Sequence, residues 1–174
     1  MFHNQVWRFR NPVSFYSAST KFLTQRQNMQ IINQIIRIET KQSIGIYSIT
    51  PLVTAIVQSS AIKSGQVLVF SRHTTTAIAI NENEERLLAD IIVFLGKLAP
   101  KDADYLHNDL EQRPNIPPDE PRNAHSHLMA MMLRNSESIP IVDGQLALGT
   151  WQSILFCELD GPRKRSVGVQ IIGM

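Results

Sequence analysis

GTWQSILFCELDGPRKRSVGVQIIGM, residues 149–174, is the stretch on which the fold turns. Gln152–Leu159 and Ser166–Ile172 are two short runs dominated by apolar and β-branched residues. Between them stands Asp160-Gly161-Pro162, a combination that favours a turn. The stretch therefore reads as two consecutive antiparallel strands. Just before it, Ser138–Val142 and Gln145–Gly149 flank Asp143-Gly144, a dipeptide suited to the positive φ angles of a hairpin.

Further upstream the periodicity changes. Asn83–Leu98 carries acids in its first turn, where they meet the positive end of a helix dipole, and Leu87, Leu88, Ile91, Ile92 and Leu95 repeat at helical spacing. Pro100 stops it. Thr50-Pro51 supplies a cap and a first-turn proline for a second helix through Leu52, Ile56, Val57 and Ile62, with Gly65 as its end. Asn123–Leu133 reads as a third, short helix whose Met129, Met131 and Met132 suit an irregular core or an interface. Gln66–Ser71 and Thr74–Ile80 are strands on either side of Arg72-His73, and Gln30–Thr40, with five isoleucines, suits a well-buried strand. Residues 100–122 form a polar loop holding Pro114, Pro117, Pro118 and Pro121, long enough to be functional or mobile. Strands interleaved with three helices and followed by consecutive antiparallel strands define an α+β fold, one compact domain with an antiparallel or mixed sheet.

Composition agrees with a globular chain: 174 residues, 43% apolar, 18% charged. A net charge of +2 argues against nucleic acid or an acidic membrane surface as partner. No segment approaches the roughly 18 consecutive apolar residues of a membrane span. The single cysteine, Cys157, cannot form an intrachain disulfide and, inside an apolar strand, reads as a small buried hydrophobe. A cytoplasmic location is the expectation. Residues 1–28 differ from the rest, with Arg8, Arg10, Lys21 and Arg26 but no acid. They read as a disordered extension, or as the product of a start assigned too early, since Met29 stands directly before the first strand; a transit peptide is the competing possibility. The domain is expected over 29–174.

The chemistry falls to polar residues that these elements do not explain. His73, His107, His125 and His127 lie in loops or at element ends. Neutral imidazole is the usual nitrogen ligand of zinc, although no tight motif such as HExxH is present. His125 and His127, two positions apart, diverge by roughly 200° on a helix, so only one of them can serve a given ion there.

Four segments, RHTTTAIAINENEE (72–85), YLHNDL (105–110), NAHSHLM (123–129) and GTWQSILFCELDGPRKRS (149–166), resemble the motifs of the YjbQ family in the same order. The resemblance spans about Met29 to Met174. It implies a small α+β fold assembled as a homotrimer, with histidine-bound metal near subunit boundaries. Carried over residue by residue, it nominates His73, His107 and His127 as metal ligands, with His127 preferred to His125. It offers Glu82 and Glu158 as general base or ligand-orienting acids. Asn81, Asn83, Trp151 and Gln152 become pocket residues, and Arg163 and Arg165 phosphate ligands. The implied cofactor is a divalent metal, zinc, or magnesium with a diphosphate substrate. Some members of the family are described as secondary thiamine-phosphate synthases, joining hydroxymethylpyrimidine diphosphate to thiazole phosphate. A metal-dependent enzyme acting on a phosphorylated small molecule is thus one expectation, and a non-catalytic metal- or metabolite-binding homotrimer the alternative. The family motif runs from the histidine helix into a glycine turn. This chain has Leu133-Arg134-Asn135 there: Asn135 is the expected substitute if the glycine serves a positive φ, and the pocket differs from that of its relatives if the glycine serves the approach of a ligand.

Overall fold

The computed structural model describes residues 28–174, so the expectation for the leading segment lies, apart from Asn28, outside the described residues. The chain runs β1 (Gln30–Glu39), β2 (Gly45–Ser48), α1 (Thr50–Ser59), β3 (Ser64–Ser71), β4 (Thr76–Asn81) and α2 (Glu85–Leu98). Two single 3-10 turns follow, at Leu106–Asn108 and Leu110–Gln112, then α3 (Ala124–Leu133). The rest is β5 (Ser136–Val142), β6 (Gln145–Leu146), β7 (Ser153–Glu158) and β8 (Lys164–Gly173). All strand pairings are antiparallel, in a five-stranded sheet ordered β1-β8-β3-β5-β6 and a three-stranded sheet ordered β2-β7-β4. The α+β class, with three helices and one domain, is what the sequence pattern predicts.

The two strands that open the sequence argument do not pair with each other. β7 is the centre of the small sheet and β8 lies between β1 and β3 in the large one, so Asp160-Gly161-Pro162 carries the chain from one layer to the other. The reason is visible in the composition of β7, which is apolar on both faces. Ile154 and Phe156 point into a core shared with the large sheet, including Val67, Val69, Val167, Val169 and Ile171, and with Val53 and Val57 of α1. Cys157 and the adjoining Leu159 point the other way, against Leu95, Ala99, Met129 and Ala130 of the α2 and α3 layer. A strand covered on both sides needs no alternation. Each fully buried side chain of this kind contributes about 1.5–3 kcal/mol.

Several local expectations are corrected. β1 is an edge strand, not a well-buried one: only Ile36 is buried, while Ile31 and Ile35 project from the outer face of the large sheet. β2 was not expected. α1 ends at Ser59, and Ala61 takes φ 59°, so Ile62 is outside the helix. Gly65 lies instead inside β3, where a Cβ would fall 2.2 Å from the Ile172 carbonyl oxygen. β6 is only two residues long. At the end of α3 the positive φ belongs to Arg134 (79°), not Asn135. The main chain pins that turn: Ile78 N–H donates to the Arg134 carbonyl and Ser71 N–H to the Asn135 carbonyl. α2 behaves as predicted at its start, where the Glu84 carboxylate caps the N–H groups of Arg86 and Leu87.

Candidate functional site

One end of the two sheets collects most of the unusual polar residues. The Arg72–Thr75 connection enters β4 there, and Thr76 pairs with Glu158 at the close of β7. The crossover to β8 brings Asp160, Arg163 and Arg165 to the same end, and α3 adds His127. Together they surround a cleft of about 390 Å3 that also receives Glu120 and Asn123. His73 and His127 line a second hollow beside it, continuing towards Arg134 and Asn135.

The floor of the cleft is set by a buried ion pair. The Arg165 guanidinium donates from Nε and Nη2 to the two Glu158 carboxylate oxygens at 2.7 and 2.6 Å, and from Nη2 to Thr75 Oγ1 at 3.1 Å. Thr40 Oγ1 and Asp160 N–H donate to the same carboxylate at 3.0 and 2.9 Å. Burial alone would raise the Glu158 pKa, but the Arg165 hydrogen bonds, the Asp160 N–H, the Arg165 charge and the Thr40 hydroxyl hold it below the ordinary carboxylate value. Glu158 is completely buried. It therefore cannot serve as the acid or base the sequence motif offers; it is a positioning residue. What it positions is Arg165, which lines the cleft and whose Nη1 makes no hydrogen bond among the described residues. Arg163 is tied to Asp160 by an ion pair of 3.0 Å, and Asn123 Nδ2 donates to the same Asp160 oxygen at 2.7 Å. Arg72 is exposed on the rim and has no ion-pair partner among the described residues.

The histidines differ in what they can do. The Ser166 backbone N–H donates to His73 Nε2 at 2.9 Å. A neutral imidazole has one ring nitrogen with a lone pair, and here it is Nε2, so Nδ1 carries the proton and acts as a donor. Burial, then the charges of Arg165 and Arg72, lower the His73 pKa against the opposing pull of Glu158, which favours that neutral form. His127 is lowered as well, chiefly by burial and by neighbouring His107. His107, on the first 3-10 turn, meets the His127 ring edge-on, with centroids 4.9 Å apart and planes at 67°. Its Nε2 is buried and without a hydrogen-bond partner among the described residues.

A metal centre built from His73, His107 and His127 does not fit the chain as folded. Among the described residues no three His, Cys, Asp or Glu side chains converge to hold an ion. The single lone pair of His73 is already engaged by Ser166. Only the His107–His127 pair is adjacent, with one orphaned nitrogen.

The remaining nominated residues sit elsewhere. Asn81 pairs with Ser153 at the opposite end of β4. Five residue steps at about 3.3 Å each put it about 17 Å from Thr76. Glu82, Asn83, Trp151 and Gln152 belong to that far end and do not line the cleft. Trp151 is 72% exposed, and Gln152 Oε1 accepts from Gly149 N–H at 2.8 Å, closing a turn. Arg72, Thr75, Glu120 and Asp160 are cleft residues that sequence reasoning passed over. The signal for Arg72 and Thr75 was their position beside His73; Asp160 was absorbed into a turn. Cys157 is buried, and desolvation pushes its thiol up to about 12, which removes it as a nucleophile.

Comparison with known proteins now adds its weight. The family model described as UPF0047 protein YjbQ-like matches residues 34–174. A UPF0047 protein of Methanothermobacter thermautotrophicus is 43% identical over 145 residues, 83% of this chain and 94% of that one. Another, from Archaeoglobus fulgidus, is 44% identical over 135 residues, 78% of this chain and 97% of its own. Among solved structures, a YbjQ-like protein from Sulfolobus solfataricus superposes with a TM-score of 0.77 at 35% identity, covering 84% of this chain and all of the other.

Proposed function

The chain belongs to the YjbQ-like UPF0047 family, and from that premise and the geometry of the cleft we propose that it binds a phosphorylated small molecule. The observation that carries this is Arg165, oriented by a buried carboxylate so that one face of its guanidinium is left for a ligand. Arg72 and the Nδ1–H of His73 border the same cleft and add a charge and a donor suited to phosphate oxygens.

The finer reading is a transferase of the thiamine-phosphate synthase kind. That reaction breaks the methylene C–O bond to a diphosphate, which leaves with the electron pair, and forms a C–N bond to the thiazole nitrogen. It asks for positive charge and donors around the leaving group. It does not ask for a strong general base, which suits a cleft whose nominated carboxylates are buried or distant. Zinc, or magnesium accompanying a diphosphate, is the ion to look for, but no step of this reading passes through it. A homotrimer in the cytoplasm completes the proposal. Ile31 and Ile35, exposed on an edge strand, form an apolar surface that a neighbouring copy would cover. No helix among the described residues is long and apolar enough to cross a membrane.

The test combines calorimetric titration with pyrophosphate and an assay for joined product and released pyrophosphate. Wild type is expected to bind, and Arg72→Ala to bind about tenfold more weakly. Absence of pyrophosphate binding in the wild-type chain overturns the reading. Binding without product would favour the alternative of a non-catalytic module. Elemental analysis of wild type beside His107→Ala/His127→Ala decides the ion.

A further inference from the structure

α3 carries two histidines that leave the helix on opposite sides and serve different cavities. His127 borders the polar cleft. His125 lines a separate hollow of about 290 Å3, walled by Ile44, Ala99, Met129 and Leu159, with Lys101 and Arg122 among its other lining residues. Of the cleft residues, this hollow shares only Pro121 and Asp160.

The protonation of His125 follows from its neighbours. Ser126 Oγ donates its one proton to the Leu159 carbonyl. The same oxygen lies 3.3 Å from His125 Nε2 and there acts as acceptor, so Nε2 carries the ring proton. Nδ1 is then a lone-pair acceptor, buried and without a hydrogen bond among the described residues, on a residue that is only 6% exposed. A buried acceptor facing a largely apolar hollow is costly unless a donor arrives. Asp160 cannot supply one, since its carboxylate is an acceptor already held by Arg163 and Asn123. Arg122 spends Nη1 on the Asn108 carbonyl and keeps its charge for the rim, as does Lys101.

We propose that this hollow is a second ligand site, taking a small apolar molecule whose hydroxyl donates to His125 Nδ1 and whose carboxylate meets Lys101 and Arg122. The pattern is that of a small-molecule site: apolar walls, one directional polar anchor and a charged mouth. It stands apart from the phosphate reading of the cleft and does not depend on it.

The probes are 2-, 3- and 4-hydroxybenzoate, with benzoate as the control that lacks the donor, titrated into the full chain. One isomer is expected to bind about tenfold more tightly than benzoate, the worth of one net hydrogen bond. The His125 Nδ1 resonance should move on saturation. His125→Phe should bring that isomer down to the affinity of benzoate, and His127→Ala should leave the preference in place. Equal affinity for all four compounds, or none, overturns the proposal. So does a preference that survives His125→Phe or is lost with His127→Ala, since the ligand then sits in the polar cleft. If His125→Phe fails to fold, an unmoved His125 Nδ1 resonance in saturated wild type overturns it equally.

Discussion

Replacing Glu158 by Gln probes the ion pair that the fold has sealed away. The substitution keeps the shape of the side chain but removes its charge, leaving the Arg165 guanidinium, 6% exposed at its side chain, without a counterion. It also turns one acceptor oxygen into a donor, facing a set of partners that all donate: Arg165 Nε and Nη2, Thr40 Oγ1 and Asp160 N–H. Breaking a buried pair from one side costs about 3–5 kcal/mol. The double variant Glu158→Leu/Arg165→Met removes both charges and restores apolar packing. It still strands the Asp160 N–H, at about 1–3 kcal/mol for a buried group left unmatched, while the Thr40 hydroxyl keeps the Arg163 carbonyl and N–H as partners. The double variant should therefore be no less stable than Glu158→Gln, far from the sum of two independent losses. Urea unfolding at one fixed protein concentration, with m-values compared, measures all three chains. A Glu158→Gln cost below about 1 kcal/mol would falsify the picture of a desolvated pair, because that is the range of solvated surface pairs. The pH dependence gives a second check. The folded pKa of Glu158 is depressed, so its contribution is full above the ordinary carboxylate value and is lost as pH falls through the folded pKa. Wild type should lose stability below about pH 4.5 by more than the double variant does.

Two further outcomes are expected. His73, His125 and His127 all have folded pKa values below 6.5, each chiefly through burial, so the unfolded chain takes up more protons as pH falls past that value. Stability should then be full above about pH 6.5 and decline on acidification towards pH 5; an unchanged thermal midpoint over that range contradicts the assigned neutral forms. Arg134 holds φ 79° and ψ 158°, a region open essentially only to glycine. Arg134→Gly should raise stability by about 1 kcal/mol, strain relief of about 1–3 kcal/mol less the added freedom of glycine in the unfolded chain, and a lowered urea midpoint would contradict it.

The misplacements have a common physical origin. The Gln30–Thr40 isoleucines announced a strand but not which of its faces would be covered, because that depends on β8 being its only neighbour among the described residues. Gly65 looked like a helix stop and proved to be a close approach between β3 and β8, a contact made by residues more than a hundred positions away. The motif residues Asn81, Glu82 and Asn83 follow His73 by no more than ten positions, yet an extended strand between them sends them to the far end of the sheet. Proximity in sequence counts for little when each residue of a strand advances about 3.3 Å. Conversely, the divergence of His125 and His127 was legible beforehand, because helical spacing alone fixes it.

By itself the sequence determined the three helices and most of the strands, the α+β class and the likeness to the YjbQ family, since these rest on local periodicity, caps, turns and contiguous motifs. Tertiary structure alone decided that β7 and β8 belong to different sheets, that Glu158 serves Arg165, that Ser166 occupies the lone pair of His73, and that the two histidines of α3 face two different cavities. Each of those is settled by a partner brought from elsewhere in the chain, and pattern along a chain tells which face a side chain leaves by but not what it meets there.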